Sequence, residues 1–181
     1  MKFNLITQMA GPVLIEPAIF YDDRGFFFES FSNRLKEIVE IEYEFVQDNQ
    51  SVSCSNVIRG LHFQSPPYEQ GKLVRVVSGV ALDVIVDIRK TSPTFGKHFS
   101  VILNAVENKM FWIPPGFAHG FASLESNTIF LYKCTAPYNK ESESGIIFND
   151  QDLNIDWSIA NPLVSEKDMS LKRLRDIESP F

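Results

Sequence analysis

The sequence predicts a small antiparallel β-barrel or jelly roll with helices at its ends. Short runs rich in branched and aromatic residues follow one another closely, and turn residues separate them. The chain length of 181 residues, with 44% apolar and 22% charged residues, suits one domain with a single sizeable core. No fixed-period repeat, low-complexity tract or long linker divides it.

Taken in order, the segment NRLKEIVEI from Asn33 is the best early helix, because Leu35, Ile38 and Val39 fall at helical spacing. The strand-like runs follow: KLVRVVSG, ALDVIVDIRK, HFSVILN, MFWIPPG and NTIFLYKCT. In ALDVIVDIR, alternation puts Leu82, Val84, Val86 and Ile88 on one face, with Ala81, Asp83, Ile85, Asp87 and Arg89 on the other. Gly79 suggests a tight hairpin between two runs, and Ser92-Pro93-Thr94 with Gly96 marks another turn. SEKDMSLKRLRDI, from about Ser165, reads as a closing helix with Ser165 as N-cap and Asp168 in its first turn. Sixteen phenylalanines are more than a core this size needs on average. In Phe26-Phe27-Phe28 neighbours must alternate faces, so one face is expected on the core and the other to need cover from a partner or ligand.

A formal net charge of −6, from 17 basic and 23 acidic residues, argues against a general nucleic-acid or membrane-surface binder while leaving room for a local anion pocket. Cys54 and Cys134 form no CxxC pair; a disulfide stays open, and reduced thiols in a cytoplasmic protein are the favoured reading. MKFNLITQMAGPVLIEP lacks the continuous apolar region of a signal peptide, and no run approaches a membrane span.

The chemistry centres on SNVIRGLHFQSPP. His62 there reads as a core histidine, a metal ligand or a base. His62, Glu69 and His119 have the spacing of a metal site, but Gln64 stands where a further histidine is usual, and an amide oxygen is a weak ligand for zinc or iron. The acid–base reading uses more of the chain. A histidine suits proton abstraction near neutral pH if a carboxylate orients its ring, and Asp83 and Asp168 are both candidates. Lys72 suits a developing oxyanion, Tyr132 a proton donor, and Arg59 and Lys167 a phosphate. His98 reads as a half-exposed strand residue, and His119 as lying in an irregular loop fixed by Pro114, Pro115, Gly116 and Gly120.

The runs DDRGFFFESF, QDNQSVSCSNVIRGLHFQSPPYEQGKLVRVVSG, LDVIVDIRKTSPTFGK, IPPGFAHGF, LYKCTAPY and SEKD, in this order and spacing, resemble the dTDP-4-dehydrorhamnose 3,5-epimerase family nearly end to end. The resemblance implies a mainly β, cupin-type jelly-roll barrel with a few peripheral helices, one domain over residues 1–181, and metal-free chemistry with no cofactor. It implies a cytoplasmic homodimer in which the N-terminal segment (about 1–50) contributes to the interface, with Arg24 and Glu29 reaching the partner subunit's nucleotide. It assigns His62 as base, Asp168 as its orienting carboxylate, Lys72 near the keto oxygen and Tyr132 as the acid on the opposite face. Arg59, His119 and Lys167 match positions near the diphosphate. Gln47, Asn49 and Gln70 match the pocket lining, Tyr138 matches an aromatic that stacks on the base, and Asp83 matches an acidic position in the barrel interior.

The activity implied is inversion of carbon 3, carbon 5 or both in a nucleotide-linked 4-keto-6-deoxy sugar, with dTDP-4-keto-6-deoxyglucose as the leading substrate. A GDP-linked 4-keto-6-deoxy-heptose and a non-catalytic nucleotide-sugar-binding cupin are the alternatives. No nucleic-acid or membrane partner is expected.

Overall fold

A computed structural model describes residues 2–5 and 9–181, with the side chains of residues 2–5 and 38 outside the description. In chain order the elements are β1 (Lys2–Leu5), β2 (Val13–Glu16), β3 (Phe20–Asp22), β4 (Gly25–Phe27), α1 (Asn33–Ile38), β5 (Gln47–Ser53) and β6 (Val57–Gln64). They continue with β7 (Lys72–Ser78), β8 (Val80–Asp87), β9 (His98–Asn104), β10 (Met110–Ile113), β11 (Phe117–Ser123) and β12 (Thr128–Cys134). The chain closes with β13 (Glu143–Gly145), β14 (Leu163–Val164), α2 (Glu166–Met169) and a 3₁₀ turn at Leu174–Asp176.

Two six-stranded sheets face each other as a cupin-type jelly roll. The first has the order β1-β2-β10-β7-β12-β5 and the second β13-β6-β11-β8-β9, with β14 alongside β6. Between the sheets lie Val74, Val76, Ile85, Phe111, Phe117, Phe121 and Phe130, with Phe121 and Phe130 stacked at 4.1 Å. Removing rings of this size from water contributes about 1.5–3 kcal/mol each. The outer face of the second sheet carries Leu82, Val84, Val86 and Ile88, covered by Ile146, Phe148, Leu153 and Trp157 of the C-terminal segment. The outer face of the first sheet is covered by α1 through Leu35 and Val39. The alternation read in β8 therefore separates two buried faces rather than a wet and a dry one. Asp83 and Asp87 share the inner face with Ile85 and are fully buried.

Several local expectations need correction. The helix at Asn33 has its Ser32 cap but stops at Ile38, where Ile41 N–H returns to the Lys36 carbonyl; the Ile38 side chain lies outside the described residues. Gly79 forms no hairpin, since β7 and β8 belong to opposite sheets and the turn carries the chain between them. His119 sits in a strand, β11, not an irregular loop, and the register of β11 against β6 shifts just after it. The closing helix shrinks to one turn because tertiary hydrogen bonds take the backbone after it. Ile147 N–H donates to the Lys172 carbonyl, and Leu174 N–H to Asp150 Oδ2. Both faces of the β3–β4 hairpin are uncovered: Phe20, Tyr21, Phe26 and Phe27 are all exposed, and only Phe28 is half-buried, beneath the Arg75 guanidinium.

The SPTFG run has a structural cause. The buried Asp87 carboxylate accepts from Arg89, Ser92 Oγ (2.6 Å) and Thr94 Oγ1 (2.6 Å), closing the turn after β8. Burial alone would raise this carboxyl, but those donors hold it at about 2, against 3.8 when unperturbed. A depressed carboxyl stabilises the fold above its unfolded value, and that contribution fades as pH falls from 4 towards 2, amounting to about 2 kcal/mol. Urea unfolding of Asp87→Asn is expected to show a loss of at least about 2 kcal/mol at pH 7, shrinking by pH 3. Equal losses at both pH values would remove the carboxylate from this account.

Candidate active site

A cavity of about 570 Å³ lies between the sheets, walled by His62, His119 and Arg59 from the second sheet and by Lys72 and Tyr132 from the first, with Glu143, Lys167 and Asp168 alongside. A smaller depression of about 360 Å³ beside Arg75, Leu131 and Lys133 has no histidine among its lining residues.

His62 reaches the cavity because β6 and β11 approach unusually closely. A Cβ on Gly60 would meet the Gly120 Cα at 2.5 Å, and one on Gly120 would meet the Arg59 carbonyl at 2.6 Å. Gly60 also has φ +119°, open to glycine alone at little cost. The two glycines of RGLH and AHGF thus let His62 and His119 pair directly across the strands.

Of the two carboxylates expected near His62, the structure selects Asp168. Its Oδ1 is 2.7 Å from His62 Nε2, and its Oδ2 accepts from Gly60 N–H at 3.2 Å. The parallel pairing of β14 with β6 delivers α2 to this spot, and Ser165 Oγ caps the turn by accepting from Asp168 N–H. Burial raises the Asp168 carboxyl, yet the bond from His62, its charge, the Gly60 amide and Lys167 bring it below the ordinary value. An ionised carboxylate only accepts, so the proton between them sits on Nε2 and leaves Nδ1 as the basic nitrogen.

Asp83 pairs instead with His119, whose Nε2 lies 2.9 Å from Asp83 Oδ2. Burial lowers the His119 pKa against the pull of Asp83, with Lys72 and His62 adding to the lowering. Burial thus favours the neutral form of His119, a packed ring on the wall of the same cavity as Arg59 and Lys167. Lys72 and Tyr132 stand on adjacent strands of the opposite sheet, two register steps apart. Burial lowers the Lys72 pKa, opposed by Cys134, Asp83 and Glu143. Burial also raises the Tyr132 phenol above its ordinary 10.0.

Not every expected residue lies on the cavity wall. Gln47 and Gln70 spend their side chains on the 135–142 loop: Gln47 Oε1 accepts from Tyr138 N–H, and Gln70 Nε2 donates to the Ala136 carbonyl. Asn49 donates to Cys134 Sγ. Arg24 is exposed and pairs with Asp22, while Glu29 accepts from Ser32. Sequence reasoning missed Glu143, whose Oε2 accepts from Tyr138 OH at 2.7 Å and Lys167 Nζ at 2.6 Å. Burial raises its carboxyl, but these two donors hold it below the ordinary value. In the sequence it is one acid in the polar stretch NKESESG, with nothing to mark it. Among the described residues, no group of three His, Cys, Asp or Glu side chains is gathered to hold a metal ion.

The sequence profile described as dTDP-4-dehydrorhamnose 3,5-epimerase matches residues 6–176. The chain belongs to the dTDP-4-dehydrorhamnose 3,5-epimerase family. Within that family it is 48% identical to the dTDP-4-dehydrorhamnose 3,5-epimerase of Shigella flexneri, over 95% of this chain and 96% of that one. The epimerase of Pseudomonas aeruginosa is 47% identical, over 95% and 97%. Among solved structures, dTDP-6-deoxy-D-glucose-3,5-epimerase from Legionella pneumophila, in complex with dTDP-4-keto-L-rhamnose, is 48% identical with a TM-score of 0.92, covering 98% of this chain and 95% of that one. Among the described residues no helix is long and apolar enough to cross a membrane.

Proposed function

We propose that this chain inverts carbons 3 and 5 of dTDP-4-keto-6-deoxyglucose, giving dTDP-4-keto-rhamnose, through an enolate. The observation that carries this is the placement of His62 on one sheet and Tyr132 with Lys72 on the other, around one cavity. Inversion needs a proton removed from one side of a carbon and another delivered to the opposite side.

In this reading His62 Nδ1 takes the proton next to the ketone, and Asp168 stabilises the imidazolium that forms. Lys72 sets positive charge where the enolate oxygen develops, a contribution of several kcal/mol in a dry site, on the order of that of an oxyanion-hole donor. Tyr132, protonated throughout the neutral range, returns a proton from the other wall. Arg59 and Lys167 take the diphosphate, and Tyr138 the base.

The chain works as a homodimer in this reading, its N-terminal segment of about residues 1–50 shared across the interface, with Arg24 and Glu29 serving the neighbouring site. The exposed aromatic side chains of β3 and β4 support such an interface. The free thiols Cys54 and Cys134 suit a cytoplasmic location.

Deuterium incorporation from deuterium oxide tests the reaction, with dTDP-4-keto-6-deoxyglucose and a GDP-linked 4-keto-6-deoxy-heptose offered side by side. Two deuterons entering the dTDP sugar, at carbons 3 and 5, are expected. Exchange at carbon 3 alone, or only in the heptose, would reassign the substrate, and no exchange in either would overturn the enzymatic reading.

A further inference from the structure

Gln64 occupies β6 two residues after His62, on the same face of the strand, and is 4% exposed. A buried amide is costly unless its hydrogen bonds are made. Here Nε2 donates to the Tyr68 carbonyl at 2.6 Å and the Pro137 carbonyl at 3.2 Å, and Oε1 accepts from Asn139 N–H at 2.8 Å. Every one of these partners is loop backbone. Two of them, Pro137 and Asn139, flank Tyr138 directly.

We infer that Gln64 is a positioning residue that fixes Tyr138 at a set distance from His62, so that holding the nucleotide base aligns the sugar with the base catalyst. The inference rests on the roles given above to Tyr138 and His62. An apolar residue here would leave three loop backbone groups without these partners, so the amide ties both loops to the strand that carries His62. Its two donors and its acceptor match three backbone groups that no strand pairing satisfies, in two loops joined also by Ser65 N–H to the Ser142 carbonyl and Gly71 N–H to Thr135 Oγ1. The same contacts explain why Gln64 does not complete a metal site with the two histidines, since its oxygen is committed to Asn139.

Gln64→Glu tests this, because it keeps the size while turning an acceptor oxygen towards two carbonyls. The expected result, read by calorimetry with dTDP and by steady-state kinetics, is a rise of about tenfold or more in both the Kd for dTDP and the KM, together with a fall in kcat whose pH profile is unshifted, because a displaced Tyr138 both loosens the nucleotide and misaligns the sugar. A role in stability alone would lower the melting temperature and the active fraction while leaving KM and Kd in place, which overturns the inference. So does a fall in kcat with KM unchanged. If the glutamate variant does not fold, Gln64→Met, near in size and without the repulsion, is read in the same way. Wild-type protein that binds no dTDP overturns the functional reading and this inference together, whereas wild-type binding that Gln64→Glu leaves intact overturns this inference alone.

Discussion

His62→Ala is expected to lower kcat by about a thousandfold, within the range a positioned general base contributes. Deuterium exchange at carbons 3 and 5 falls with it, because both begin by proton removal at Nδ1. Binding of dTDP is expected to stay within about threefold, since the proposed function gives the diphosphate to Arg59 and Lys167 and not to His62. The variant is also expected to fold, because His62 is only partly buried and is bordered by cavity rather than packed core. Retention of more than about a tenth of wild-type kcat would move the base to another group. The neighbouring His119 is poorly suited to replace it. Its Nε2 is bound to Asp83, and it lies within the wall.

Tyr132→Phe is expected to separate exchange from inversion. Proton removal by His62 continues, so solvent deuterium still enters the substrate from the His62 side. Formation of the inverted sugar falls about a hundredfold or more, since its proton must come from the other wall. Burial raises the phenol above 10.0, and a donor must be protonated to act. In wild-type protein the loss of inversion that comes from ionising Tyr132 therefore lies above pH 10, beyond the ordinary value rather than below it. Product nuclear magnetic resonance in deuterium oxide distinguishes the two processes. Exchange and inversion falling in the same proportion would show that Tyr132 is not the face-selective donor.

Much of this site was legible in the sequence. Short β-prone runs announced a barrel, and the bounds of HFSVILN and its neighbours agree with β9, β7 and β12. His62, Lys72 and Tyr132, which the structure gathers around one cavity, were legible as candidates because each is a residue type suited to proton or charge chemistry within a strand-like run. Ser165 and Asp168 were recognisable as a cap and a first-turn carboxylate, a local pattern that needs no knowledge of the rest of the chain.

Residue type and local pattern determined which groups were available and which strands bore them. The tertiary structure decided which of them meet. By residue type alone Asp83 and Asp168 were both candidate partners for His62, with the family resemblance favouring Asp168, and the parallel docking of β14 on β6 brings Asp168 to it while β8 turns Asp83 to His119. Glu143 had no local signature, for its role comes from Tyr138 and Lys167 converging on it from two other segments. The closing helix is shorter than its periodicity predicts because backbone groups after its first turn bond tertiary partners, the Lys172 carbonyl accepting from Ile147 N–H and Leu174 N–H donating to Asp150. The distinction is one of range: periodicity, capping and ionisation chemistry act over a few residues, whereas hydrogen-bond partnership in a barrel joins residues about a hundred apart, as His62 and Asp168 are.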